Sequence, residues 1–300
     1  MLRFVSIFVV ALVALVGPAS ANADAARLNI VATFSILGDF AKNVGGERVN
    51  VTTLVGPNSD THVYTPTPSD AKKITDAKLV IVNGLGLEGW LPRLVKSSGS
   101  KAATVVATKG IATRKIEDGH SHDPSDADPH AWQSVVNAKT YVTNIRDALI
   151  AADPAGAEAY NANAASYLSK LDALDRDVRE AVAKIPTERR SVISTHDAFG
   201  YFAAAYGIKF IAPQGVSTES EPSARDIAAI ISQIKKQKIP AVFLENVSDP
   251  RLMRRIAAET GANIGGTLYS DSLTDEKGPA PTYIDMVRHN IKALTSALSS

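Results

Sequence analysis

The chain has 300 residues, 45% of them hydrophobic and 21% charged, with a net charge of +1. That is an ordinary globular composition with room for two domains, and so balanced a charge argues against a nucleic-acid or anionic-membrane partner. There is no cysteine, which excludes disulfides and thiolate metal sites.

Residues 1–23 read as a cleavable signal peptide. Arg3 supplies the positive start, 4–16 is an apolar run too short to span a bilayer comfortably, and Ala19-Ser20-Ala21 and Ala21-Asn22-Ala23 are small-x-small cleavage sites. With no cysteine to carry a lipid and no second apolar segment of spanning length, the mature protein is expected free in the periplasm of a two-membrane bacterium.

The first block, 24–152, opens with a strand over 28–33, a helix over 36–44 and a strand over 49–55. Three prolines and a glycine then make 56–68 a structured loop, with His62 in its middle. Ser69 is expected to cap the next helix. A buried strand over 79–82 leads into Gly84-Leu85-Gly86-Leu87-Glu88-Gly89, which matches the dinucleotide fingerprint. It follows the third strand of its block, however, and the strand over 103–107 ends in Thr108-Lys109 with no acid to hold a ribose. The stretch reads as a turn feeding a helix at Trp90. Residues 117–130 form an exposed polar loop holding His120, His122, Asp128 and His130, followed by an amphipathic helix over 135–150.

Next comes a long helix, expected over 153–186. Asp153 is a good N-cap and Pro154 suits the first helical position. Tyr160, Ala164, Tyr167, Leu171, Leu174, Val178, Val182 and Ile185 recur every three or four residues as one apolar stripe. Such a helix spans about 50 Å and reads either as a rigid strut between two lobes or as a long surface helix of one domain. The second block, 187–300, repeats the plan, with strands over 191–195, 209–212, 241–244 and 263–269 separated by helices. The fold class expected is α/β: two lobes with parallel sheets flanked by helices, bridged by one long helix.

Open parallel sheets bind ligands beyond the carboxyl ends of their strands. His62, His196 and Asp271 each follow a strand, and His130 stands in a polar loop, two residues from each block. If the rims face one another, three imidazoles and one carboxylate suit a first-row divalent ion. Asp128 and Asp197 are the expected acceptors for the outward ring N–H of a histidine. Glu245, beyond its strand, reads as another such acceptor or as a helix-start residue. His120 and His122 either recruit metal transiently or are solvated. Binding should weaken in acid, since protons compete for imidazoles of reference pKa about 6.5.

These stretches also carry a resemblance. GPNSDTHVYTPTPSD, NGLGLEGWL, DPHAWQ, STHDAFGYF, LYSDSLT and GPAPTYIDMVRHN, covering nearly all of 26–300, resemble the solute-binding proteins of bacterial zinc/manganese ABC importers, the cluster A-I or family 9 group. The resemblance implies two lobes on one long helix, metal ligands at His62, His130, His196 and Asp271, and a structural role for the glycine-rich turn. It also implies a partner, an inner-membrane ABC permease with its cytoplasmic ATPase, and a monomeric receptor that is not an enzyme. Two departures bear on the ion. Many manganese-type members have glutamate where His196 stands, and zinc-type members carry a long His-rich insertion where this chain has only GHSHD, so both Zn2+ and Mn2+ remain. The rivals are a secreted zinc-dependent hydrolase, which needs an open coordination position and a base although the chain lacks H-E-x-x-H, and a metal-binding surface adhesin.

Overall fold

The computed structural model describes residues 27–116 and 127–299; the expected signal peptide and the loop with His120 and His122 lie outside them. Strands β1 (Leu28–Phe34), β2 (Val49–Val55), β3 (Leu79–Val82) and β4 (Ala103–Val106) form one parallel sheet in the order β2-β1-β3-β4. Strands β5 (Ser191–Ile193), β6 (Lys209–Ile211), β7 (Ala241–Glu245) and β8 (Asn263–Leu268) form a second in the order β6-β5-β7-β8. The two orders are the same. Each reverses direction once, beside its first strand, and there the connecting loops part and leave a crevice. The middle strands are continuous apolar runs, as sheets covered on both faces require: Ile30, Val31, Ala32 and Phe34 in β1 and Leu79 to Val82 in β3 are all buried.

The helices that cover the first sheet are α1 (Ser35–Gly45), α2 (Pro68–Asp76), α3 (Leu91–Ser98) and α4 (Val135–Ala152). Helix α2 starts two residues earlier than expected: Thr67, not Ser69, caps it. Pro68 needs no N–H partner at the first position, and the Thr67 amide and hydroxyl donate to Asp70 at 2.8 and 2.7 Å. The glycine-rich stretch is a turn, with Gly84, Leu85 and Gly86 at positive φ. The buried Glu88 carboxylate folds back under it and accepts the amides of Asn83 (2.6 Å) and Gly84 (3.0 Å). The first amides of the turn are thereby satisfied from within the protein.

The long helix α5 (Ala157–Ala183) is shorter than expected, 27 residues or about 40 Å. Pro154–Gly156 forms a separate 3-10 turn. Asp153 does not cap it with its side chain, because that carboxylate is held by Arg48 at 2.8 Å and Tyr160 at 2.8 Å. The expected stripe, Tyr160 through Val182, is buried, with Ile185 just beyond it. It lies against α1 and α4 and against α6 (Gly200–Tyr206) and α9 (Tyr283–Leu298). One helix thus forms the back wall of both lobes, and a single apolar core runs from Ile30 to Leu298. Two smaller clusters sit on the outer faces, one under α2 and α3, the other under α7 (Ala224–Gln237) and α8 (Arg251–Thr260).

The lobes are also joined by direct bonds. Tyr283 Oη donates to the Trp132 carbonyl at 2.6 Å, and the Leu273 amide donates to Ser35 Oγ at 2.9 Å. Phe40 packs on Tyr141 and Tyr283 with centroids 5.7 and 4.8 Å apart. Among the described residues no helix is long and apolar enough to cross a membrane.

Candidate metal centre

Each candidate ligand is set by its own local device. In the loop after β2, Asp60 Oδ1 accepts the His62 amide at 2.8 Å, and Trp90 Nε1 holds the Thr61 carbonyl at 2.9 Å. In the loop after β4, Asp128 Oδ1 accepts the amide and Nδ1 of His130, both at 2.9 Å. Behind it, Asn83 donates to the Pro129 carbonyl at 2.9 Å and accepts from Tyr141 at 2.6 Å. His196 follows β5, which ends at Ile193, two residues earlier than expected. Asp271 follows β8, where the β7–β8 register gains one residue between Ile264 and Thr267. Gly266, at φ +118, takes the extra residue, and such a bulge re-aims the strand end that carries Asp271.

All four residues meet. His62 Nε2 lies 3.2 Å from His130 Nε2 and 3.3 Å from Asp271 Oδ2. His196 Nε2 lies 3.1 Å from Asp271 Oδ2, and His130 Nε2 lies 3.6 Å from Asp271 Oδ1. One donor atom from each residue falls within 4.8 Å of all the others. A tetrahedral ion with bonds of about 2.0–2.1 Å sets its donors about 3.3–3.4 Å apart, so the cluster fits one with small adjustments. Asp271 Oδ1 is buried and accepts no hydrogen bond among the described residues, as expected of an oxygen aimed at a cation. His130, His196 and Asp271 are fully buried and His62 is 9% exposed. His62 lines an interlobe cleft of about 480 Å³, together with Leu85, Gly86, Pro129, Val216 and Glu219.

The electrostatics follow from burial and the carboxylates. Burial alone would lower the His130 pKa, but the charges of Asp271 and Asp128 outweigh it and hold His130 at about 9. Burial likewise opposes charge on His196, yet Glu245 and Asp271 raise it well above the ordinary imidazole value. Asp271, which burial would raise, is pulled well below the carboxylate range by His196 and His130. The metal-free cluster therefore holds protons through neutral pH, not only in acid as the reference value suggests.

Asp128 takes the outward nitrogen of His130 as expected; Asp197 does not do so for His196. Glu245 does, with Oε2 2.5 Å from His196 Nδ1. The sheet register explains the difference. Ile193 of β5 pairs with Val242 of β7, and three residues further on each chain stand His196 and Glu245. Asp197 turns aside, its amide donating to the Gly215 carbonyl at 3.2 Å, and its carboxyl is raised by burial and by the neighbouring charge of Asp128. Sequence reasoning also passed over Ser270, whose hydroxyl donates to Glu245 at 2.8 Å, and Asp60. The latter's Oδ2 accepts Thr218 Oγ1 from the opposite lobe at 2.7 Å.

With this geometry in view, the chain compares closely with known proteins. The family model described as zinc-uptake complex component A, periplasmic (ZnuA), matches residues 30–297. The iron-binding protein YfeA of Yersinia pestis is 38% identical over 270 residues, covering 90% of this chain and 86% of that protein. The manganese-binding lipoprotein MntA of Halalkalibacterium halodurans is 38% identical over 276 residues, covering 92% of this chain and 90% of its own length. Among solved structures, the periplasmic zinc-binding protein TroA of Treponema pallidum superposes with a TM-score of 0.85 at 31% identity, over 91% of this chain and all of that one.

Proposed function

This chain belongs to the zinc-uptake complex component A family, and from that premise we propose that it is the periplasmic solute-binding component of an ABC importer. It captures Zn2+ or Mn2+ between its lobes and delivers the ion to an inner-membrane permease driven by a cytoplasmic ATPase. His62, His130, His196 and Asp271 are the ligands. The reading rests on one observation: four donors from four separate loops, two per lobe, converge at the spacing of a single ion. In this reading 1–23 is the signal segment, 24–152 the first lobe, 153–186 the link and 187–300 the second lobe, and the receptor acts as a monomer. In this reading His120 and His122 recruit metal transiently.

Four protein donors complete a tetrahedral shell and leave no position for an activated water, so we assign capture and release, not hydrolysis. The relatives named for iron, manganese and zinc leave the ion to be decided by donor chemistry. Any such site holds zinc more tightly than manganese, and which ion is carried follows supply. Several relatives are named lipoproteins, while this sequence has no cysteine; we place the mature receptor in the periplasm without a lipid. Elemental analysis of protein purified from its own periplasm, followed by calorimetry on the stripped protein, tests the assignment. One equivalent of zinc or manganese is expected, with zinc the tighter in vitro, and a protein that binds neither ends the proposal.

A further inference from the structure

The carboxylates behind His130 and His196 are bound in different ways. Asp128 serves the His130 amide and Nδ1 with the same oxygen, Oδ1, while Oδ2 lies 3.9 Å from Arg114 Nε. Glu245 divides the work. Oε1 accepts the amides of Thr195 (2.7 Å) and His196 (3.1 Å), and Oε2 accepts His196 Nδ1 (2.5 Å) and the Ser270 hydroxyl (2.8 Å). An amide side chain has one accepting and one donating end. Replacing Asp128, its oxygen can take both His130 bonds and its NH2 can lie on the Arg114 side. Replacing Glu245, its oxygen is claimed by two backbone N–H groups, which only donate. Its NH2 then faces His196 Nδ1, and the ring must present a lone pair there. The remaining ring proton goes to Nε2, the nitrogen 3.1 Å from Asp271 that faces the ion. The opposite flip is worse, because it sets the NH2 against two backbone donors.

We propose that Glu245 is a positioning residue that keeps the His196 proton on Nδ1, and so holds the tautomer whose Nε2 can bind metal, whereas Asp128 positions His130 in a way an amide can replace. The proposal rests on the reading of His196 as a ligand. Ser270 extends the role: its carbonyl accepts Trp132 Nε1 (2.9 Å) and Gln133 Nε2 (2.6 Å), from the segment just after His130. Glu245 thereby ties the His196 ring to both halves of the site.

The test compares the full mature chain with its Glu245→Gln and Asp128→Asn variants. Zn2+ affinity is measured by competition with a chromophoric chelator, and imidazole nitrogens are assigned by long-range 1H–15N correlation. Zn2+ binding is expected to weaken by about 100-fold in Glu245→Gln and by about 10-fold or less in Asp128→Asn. Zinc-loaded wild type should show His196 protonated at Nδ1. Equal losses in the two variants, or zinc-loaded His196 protonated at Nε2, overturn the proposal; the second readout needs only wild-type protein and stands even if Glu245→Gln does not fold. A wild type that binds no Zn2+ fails at the earlier step and sinks the receptor reading with it.

Discussion

The two lobes share one strand order, yet they hold their halves of the site by different means. In the first lobe each histidine is fixed by an aspartate two residues ahead: Asp60 for His62 and Asp128 for His130, each accepting the histidine amide on Oδ1. This is an Asx turn, complete within three residues. In the second lobe His196 is fixed by a carboxylate 49 residues away, brought beside it by the pairing of β5 with β7. Asp271 is aimed by a bulge between β7 and β8. Half of the candidate site is therefore built from local turn chemistry and half from sheet register. The first is set within the turn and braced by Trp90 and Asn83, while the second depends on strand pairing.

Removing ligands tests the contrast most strongly. Structural zinc sites bind with about 10–16 kcal/mol shared among four ligands, so losing a fully buried one should weaken binding about 100- to 1000-fold. His196→Ala is expected in that range with the fold intact, measured by calorimetry and circular dichroism. His62→Ala, at the residue that lines the cleft, should lose less, about 10- to 100-fold. Equal losses would mean that the two half-sites contribute alike.

The next effect is in pH. Metal must displace the proton that the carboxylates hold on His130 up to a pKa of about 9. The metal-free state binds that proton and the loaded state does not, so affinity rises with pH up to about 9. It falls about tenfold per unit below that for each proton displaced. Calorimetry between pH 6 and 9 in buffers of different ionisation enthalpy counts the protons released, and a flat profile would contradict the cluster. The smallest effect expected is at the contact between the lobes' loops. Thr218→Val removes the bond to Asp60 Oδ2 but no ligand. Its equilibrium affinity should stay within about threefold of wild type while metal dissociation speeds up, as stopped-flow chelation would record.

How much was legible follows the same division between near and far. The alternation of strands and helices, the stripe on α5 and the four candidate residues are all patterns within short windows, and the structure brings those four residues together. Asp128 was legible as the partner of His130 because it stands two residues away. Asp197 was chosen for His196 by the same local habit, and there it misled, because the residue adjacent in the chain points aside while register supplies Glu245. The start of α5 failed for a similar reason: Asp153 looks like a cap until Arg48, 105 residues earlier, takes its carboxylate.

By itself the amino-acid order determined which residues have ligand chemistry, where strands give way to loops, and which face of the long helix seeks burial, because periodicity and turn preference act over a few residues. Tertiary structure alone decided that the two rims meet, that Glu245 stands behind His196, and that His130 holds its proton to about 9. Those are matters of distance and burial between segments far apart in the chain, and sheet pairing and packing around α5 set them.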